Sequence, residues 1–373
     1  MVLPDVDKDA LPPPAQKVLA PDAPAPLRAM AARGVLPGLK PPEIVTVVAW
    51  LAADADQALA EAARATLAKL PTPILAGALG ADLPGSVAEG LAHAQPKNAD
   101  VVLGLLRMPR VTPSALEHLA RFADERTGEI IATNEELLLR HPTVIERLYM
   151  NKAVRMSTAD RLVELAVRNK VELGIPAFKE AAAAIHNELI PEPSPEPTFD
   201  DALFQSTDEL AAKIGDDGED THEVDDEGQE QVRPKYGSLQ ERLNDCSVST
   251  KIRTAMLGTA AERLILVRDP NRLVQAAVAK SPALSESEVA RITASRAMSD
   301  EVLRIIAMNR DHVRSYQVKL NLVSNPRTPF TFASRLVPHL RESDLRSISK
   351  SKNVSGAVAQ AVQQQLTRKS SKR

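Results

Sequence analysis

The chain predicts an all-α protein: α-solenoid-like helical repeats in two related halves, joined by a disordered acidic linker. Three observations carry that prediction. The first is an internal echo, in which the stretch from about 96 to 170 returns from about 269 to 344. Ile130-Ile131-Ala132-Thr133-Asn134 comes back as Ile305-Ile306-Ala307-Met308-Asn309, 175 residues on. Asn151 returns as Asn325 and Arg161-Leu162-Val163 as Arg335-Leu336-Val337, both 174 residues on, and Met108-Pro109 maps onto Ser281-Pro282 at 173. A repeated helical pattern points to stacked units, and such stacks mostly bind rather than catalyse. The second observation is composition. Hydrophobic residues make up 44% and aromatics only 3%, so the core is built from Ala, Leu, Val and Ile, which suits close-packed helices better than a β-sandwich. The third is the placing of charge and proline, which divides the 373 residues into regions.

Residues 1–40 carry Pro4, Pro12, Pro13, Pro14, Pro21, Pro24, Pro26 and Pro37. Proline at this density opposes a regular helix, so a disordered tail is expected, with a short helix near Leu27 to Ala32. Residues 41–190 read as a helical-repeat half. A helix follows Pro41-Pro42 and runs through Trp50. Thr72-Pro73 and Thr112-Pro113 each set a capping hydroxyl before a proline at the first helical position. Leu116, Leu119 and Ala120 follow at helical spacing.

Residues 191–237 read as a Pro-rich, then acidic, disordered linker. From 191 to 232 there are 15 Asp and Glu against one base, Lys213, too polar a stretch to offset the entropy of ordering. One island within it, Phe199 to Ile214, has Leu203, Phe204, Leu210 and Ile214 placed for a short docking helix. Residues 238–367 read as a second, basic helical-repeat half, and 368–373 as a basic tail. Ser285 and Glu288 have capping-box spacing ahead of Val289 and Ile292. Ser299 caps the next helix, with Asp300 and Glu301 in its first turn and Val302, Ile305 and Ile306 as its inner stripe.

A finer unit runs inside the echo. Val278-Ala279-Lys280-Ser281-Pro282 and Leu322-Val323-Ser324-Asn325-Pro326 each join an apolar helix end to a small polar residue and a proline. A hydroxyl, Ser285 or Thr328, then opens the next helix. The phrase Asn325-Pro326-Arg327-Thr328-Pro329 resembles the leucine-rich repeat variant and, more loosely, HEAT and armadillo repeats. That resemblance implies short helices stacked into a curved rod over about 250 residues, and it leaves the ligand open. Some members of the leucine-rich repeat variant hold an iron–sulfur cluster on cysteines; Cys246, the single cysteine here, cannot hold one. Irregular spacing of the units leaves a helical bundle as the other arrangement of the same helices.

Catalytic patterns are missing. Gly77, Gly80, Gly85 and Gly90 lack the spacing and the lysine of a phosphate loop. The histidines, His93, His118, His141, His186, His222, His312 and His339, are scattered rather than clustered for a metal. Cys246 stands beside Asp245, which raises a thiol pKa if anything, and reads as a buried structural thiol. Neither an enzyme activity, a cofactor, a metal nor a small-molecule substrate is expected. The most apolar window, Ile44 to Ala53, is about ten residues against the roughly 20 that a membrane span needs. Asp5, Asp7 and Asp9 near the start argue against a signal peptide, and a cytoplasmic location is expected.

Charge is the functional clue. Residues 233–373 hold 25 Lys and Arg against 11 Asp and Glu, a net of +14, directly after a segment of net −14. Arg310, Arg314, Lys319, Arg327, Arg341, Arg346, Lys350 and Lys352 fall near helix ends or between helices and are the candidate partner-binding face. Tyr316, Phe330 and Phe332 are interleaved with them, the two phenylalanines reading as core plugs. The expected role is a scaffold or adaptor that binds an acidic protein surface through this face. A nucleic acid bound by the same cations is the alternative. The acidic linker is expected to fold back and mask the basic half. Asn134, Asn151, Asn309 and Asn325 recur at equivalent places and read as helix C-caps, with a ligand-lining row as the other reading.

Overall fold

A computed structural model describes residues 3–186, 188–215, 218–224, 230–351 and 353–370. Among these the protein is mostly helical, 65% in 24 α-helices, with 2% strand. The chain forms two compact units, Met1–Leu173 and Gly174–Arg373.

The first unit contains α1 (Pro13–Leu19), α2 (Ala25–Ala32), α3 (Pro41–Ala52), α4 (Gln57–Leu67), α5 (Thr72–Leu79) and α6 (Gly85–Ala94), then α7 (Ala99–Leu106), α8 (Pro113–Phe122), α9 (Glu125–Ala132), α10 (Glu135–Arg140), α11 (Pro142–Tyr149) and α12 (Met156–Arg168). The second contains α13 (Phe178–Ala184), α14 (Phe199–Ile214), strands β1 (His222–Val224) and β2 (Glu230–Val232), α15 (Gly237–Asp245), α16 (Val248–Leu257), α17 (Ala260–Leu266), α18 (Arg272–Lys280), α19 (Glu286–Ala294), α20 (Asp300–Met308), α21 (Tyr316–Ser324), α22 (Phe330–Leu336), α23 (Glu342–Lys350) and α24 (Gly356–Ser370).

In both units alternate helices pack on one another. α3, α5, α7 and α9 form one row and α4, α6, α8 and α11 a second; α16, α18, α20 and α22 repeat the first arrangement and α15, α17, α19 and α21 the second. The packing is compatible with a helical-repeat fold. The echo is visible as equal elements in equal order: α7, α8, α9, α11 and α12 correspond to α18 through α22. Even the short α10 has its counterpart in a 3-10 turn over His312–Arg314.

The recurring asparagines explain part of this. Asn151 donates from Nδ2 to the carbonyls of Ala120 (3.0 Å) and Ala123 (2.9 Å), and its Oδ1 accepts from the Ala153 amide. Asn325 does the same to Thr293 (2.9 Å) and Ser295 (2.8 Å), accepting from the Arg327 amide. Each therefore ties its own turn to the free carbonyl end of the preceding helix in its row, α8 or α19, whose last carbonyls have no partner within the helix. They cap a neighbour rather than their own helix. Asn134 instead opens α10, accepting from the Leu137 amide, and Asn309 accepts from Asp311.

The proline-rich start is folded, not a disordered tail. Pro13, Pro26 and Pro41 occupy first-turn positions of α1, α2 and α3, where a proline costs no hydrogen bond. Ala15, Val18, Ala31 and Ala32 are buried, and Lys8 lies over the Trp50 ring, 4.4 Å from its centroid. Parts of the expected linker are also built into the second unit. Its apolar island is α14, closed by a Thr198–Asp201 capping box, with Leu203, Phe204, Thr207 and Ala211 buried against α15 and α16. Asp216, Asp217, Asp225, Asp226 and Glu227 lie outside the described residues. The first half also ends earlier than expected: α13 packs on α16 and α18, with Lys280 bonded to Glu180 at 2.7 Å. Of the basic tail, residues 368–370 belong to the last turn of α24, where Lys369 reaches the Leu340 carbonyl, and 371–373 lie outside the described residues.

Caps follow the sequence in most places. Thr112, Ser285 and Ser299 receive the amides of Ala115, Glu288 and Val302. Thr72 and Thr328 do not cap. Each is followed by a proline, and the helix takes Pro71 or Pro329 as its N-cap instead. Thr328 is buried with no partner for its hydroxyl among the described residues. On α20, Leu303 is buried while Ile305 is half-buried, so the inner stripe is Val302, Leu303 and Ile306.

Close packing of α3 on α5 sets a first prediction. A Cβ on Gly77 would lie 2.7 Å from Cγ and 2.8 Å from Cβ of Pro41, and a proline ring cannot rotate aside. Gly77→Ala should therefore destabilise the first unit by about 1–3 kcal/mol, although alanine is the better helix former by about 1 kcal/mol. Urea unfolding measures it, and a stabilised variant would mean that α3 and α5 can separate without loss.

Candidate functional site

The expected basic face divides between the two ends of α21. At its start, Tyr316 donates its hydroxyl hydrogen to Asp344 and accepts the Arg341 amide hydrogen at 3.0 Å. The Arg341 guanidinium lies 4.7 Å above the Tyr316 ring, a cation–π contact. Partial burial and then the Asp344 bond hold the Tyr316 phenol above its ordinary pKa. Lys319 donates to the Arg314 carbonyl at 3.2 Å, and Arg310 is exposed in the loop before the 3-10 turn. Arg310, Arg314, Lys319 and Arg341 thus belong to elements that meet at one end. Arg327 follows the other end of this nine-residue helix, about 13 Å along its axis. Arg346 and Lys350 lie one turn apart on α23, both exposed. Lys352 lies outside the described residues.

These cations differ in what already holds them. Arg314 pairs with Asp311 at 3.1 Å and Arg346 with Glu342, both as local helical pairs in solvent, worth well under about 1 kcal/mol each. Arg310, Arg327 and Lys350 have no carboxylate partner among the described residues. The aromatics part ways too. Phe332 is half-buried under Arg335, whereas Phe330 is 47% exposed on the first turn of α22 and is not a core plug.

A second cationic place, built from residues the sequence did not single out, lies at the C-terminal ends of α17 and α19. There residues 218–224 and 230–232 of the acidic segment lie against the second unit, the two strands pairing as an antiparallel hairpin with His222 opposite Val232 and Val224 opposite Glu230, while residues 225–229 lie outside the described residues. Arg268, just past α17, pairs with Glu230 at 2.7 Å and Asp220 at 3.5 Å, and donates to the Leu264 carbonyl at 2.8 Å. The Ser295 hydroxyl at the end of α19 donates to Glu230. Arg291 donates to the main-chain carbonyls of Gly218 and Glu219, the latter at 2.9 Å. Arg233 pairs with Glu219 and returns its amide to the Thr221 carbonyl at 2.9 Å.

The electrostatics follow from these contacts. Burial disfavours the Glu230 carboxylate, but the Ser295 hydroxyl and Arg268 outweigh it, and its pKa lies below the usual range. Burial and then Arg268 push His222 down to about 4, so its ring is neutral at pH 7. Beside the hairpin is an open cavity of about 720 Å³, lined by Arg268, Arg291 and Arg296 together with Asp220, His222 and Glu230. The juxtaposition of net −14 and net +14 was the legible signal; which arginines receive the acids depends on helix ends that only packing brings together.

Cys246 is buried, and burial pushes its thiol up to about 11, so it stays protonated near neutral pH. His93 and His118 stack at 3.8 Å between ring centroids. Among the described residues no group of His, Cys, Asp and Glu is placed to hold a metal ion, and no helix is long and apolar enough to cross a membrane. Comparison with family models, curated proteins and solved structures finds no match to this chain.

Proposed function

We propose that this protein is a non-enzymatic α-solenoid scaffold whose second unit binds an acidic protein surface. The observation that carries the reading is the set of exposed cations Arg310, Arg327 and Lys350, which have no carboxylate partner among the described residues. Charges placed this way need not be released from an existing ion pair, and they accelerate encounter with an anionic surface more than they deepen affinity. Arg314, Lys319, Arg341 and Arg346 extend the same field while tied locally. The alternate-row packing of helices in each unit supports the solenoid reading, since stacked repeats present long surfaces built for partners.

A nucleic-acid reading has one observation in its favour, the exposed Phe330 three residues from Arg327, a pair suited to stacking and phosphate contact. Against it, Tyr316 is committed to Asp344 and Phe332 is covered by Arg335. The test is binding of the full-length protein to poly-L-glutamate and to mixed-sequence single-stranded DNA across a salt series. The expected result is capture of poly-L-glutamate, weakened roughly tenfold by Arg310→Glu, Arg327→Glu and Lys350→Glu together. DNA held more tightly, with a steep salt slope, would put nucleic acid first, and indifference of both ligands to the triple variant would remove this face.

A further inference from the structure

We infer that the cleft at the ends of α17 and α19 is a binding site for an extended acidic peptide, occupied here by the chain's own hairpin as an internal ligand. The inference uses residues distinct from the Arg310–Lys350 face and stands apart from the reading above.

The hairpin's shape is imposed from outside. Two strands of three residues have too little pairing to stand alone in water. Neither strand buries a residue fully, and Val224 is 66% exposed. Apolar burial therefore contributes little, and polar contacts to Arg268, Arg291 and Ser295 hold the segment in place. A segment held this way can be exchanged for another that offers the same groups.

The kinds of contact identify the occupant. Arg268 takes two carboxylates, Asp220 and Glu230, and Ser295 takes the second of them as well. Arg291 takes two consecutive main-chain carbonyls, Gly218 and Glu219. Carboxylates alone would be mimicked by phosphates; paired peptide carbonyls are a polypeptide feature, and they favour an acidic peptide over a nucleic acid. The cleft itself is preorganised. Arg268 is anchored by the Leu264 carbonyl at 2.8 Å, one of the free acceptors at the end of α17, and its side chain is 11% exposed.

The hairpin also leaves the site incompletely used. Arg291 is matched to carbonyls, not to a carboxylate, and Arg296 lines the cavity, exposed and with no carboxylate partner among the described residues. About 720 Å³ of open cavity adjoins these side chains. A peptide with acids spaced to reach Arg291 and Arg296 as well as Arg268 would meet more of the cleft's charge than the hairpin does. The hairpin's advantage is its tether. It is flanked by α14 and by buried Tyr236, so it competes at an effective concentration on the order of millimolar.

The experiment uses the full-length protein and a fluorescent synthetic peptide with the sequence of residues 218–232. Asp220→Asn with Glu230→Gln removes the carboxylates that Arg268 holds while keeping side-chain size. The expected result is peptide binding at least roughly tenfold tighter than to the unaltered protein, because the tethered competitor is weakened. Adding Arg268→Glu should abolish it, and a peptide with its acids replaced by glutamine should not bind. A folded double variant that binds the peptide no better than the parent, or that prefers single-stranded DNA, overturns the inference. A second readout needs no variant: hydrogen exchange of the hairpin amides should quicken when the unaltered protein is saturated with the peptide. Unchanged exchange at saturation would make the hairpin a fixed structural part.

Discussion

Replacing Glu288 by alanine is expected to cost the second unit about 3–5 kcal/mol, the range for stranding one member of a buried ion pair. Arg263 and Glu288 face each other with two bonds, Nε to Oε1 at 2.8 Å and Nη2 to Oε2 at 3.2 Å, and their side chains are 6% and 2% exposed. Arg263 also donates to the Gly258 carbonyl at 2.6 Å. Glu288 has a second duty, accepting the Ser285 amide and hydroxyl hydrogens in the capping box of α19. The alanine variant therefore loses the carboxylate half of the capping box and leaves the nearly buried Arg263 guanidinium without its carboxylate. Glu288→Gln keeps the cap geometry and should fall between parent and alanine variant. Arg263→Met with Glu288→Leu removes both charges and should cost much less than the sum of the single losses. Urea unfolding in a double-mutant cycle measures this, with a coupling above about 2 kcal/mol expected. Additive losses would mean that the two side chains act separately.

Asn325→Ala should cost about 2–4 kcal/mol, because it strands the Thr293 and Ser295 carbonyls and the Arg327 amide at a position 6% exposed, each loss carrying the desolvation cost of a buried polar group. Asn325→Asp should be at least as damaging near neutral pH. It keeps the acceptor for Arg327 but turns a carboxylate toward two carbonyl oxygens. Asn151→Ala should produce a loss of similar size in the first unit, because its side chain bridges Ala120, Ala123 and Ala153 in the same way. Thermal or urea unfolding of the three variants tests the point. A tolerated aspartate at 325 would contradict the hydrogen-bond directions described here.

Local signals were readable one residue at a time. Ser285, Ser299 and Thr112 act as caps because an N-cap needs only a side-chain oxygen and a free amide within three residues. The island from Phe199 to Ile214 is a helix to the residue because its Thr198–Asp201 box and apolar spacing lie inside the same short window. Proline carries two opposite local meanings. Its density before residue 41 suggested disorder, yet the same residue type both forbids a helix interior and starts a helix, and only burial of Ala15, Val18 and Ala31 selects the second meaning. Part of the acidic segment is placed by contacts of another kind. Fifteen acids cannot build a core, but two of them, Asp220 and Glu230, are held by Arg268, and Arg291 holds the Gly218 and Glu219 carbonyls.

By itself the sequence determined the helical class, the duplication and the opposed charges, because periodicity, caps and net charge are properties of neighbouring residues. Tertiary structure alone decided that Asn151 and Asn325 tie one helix to the next, that the basic face splits across α21, and that Arg268 receives Asp220 and Glu230. Each of those outcomes depends on distances between residues 25 to 48 positions apart in the chain, which are set when helices stack and which no local pattern encodes.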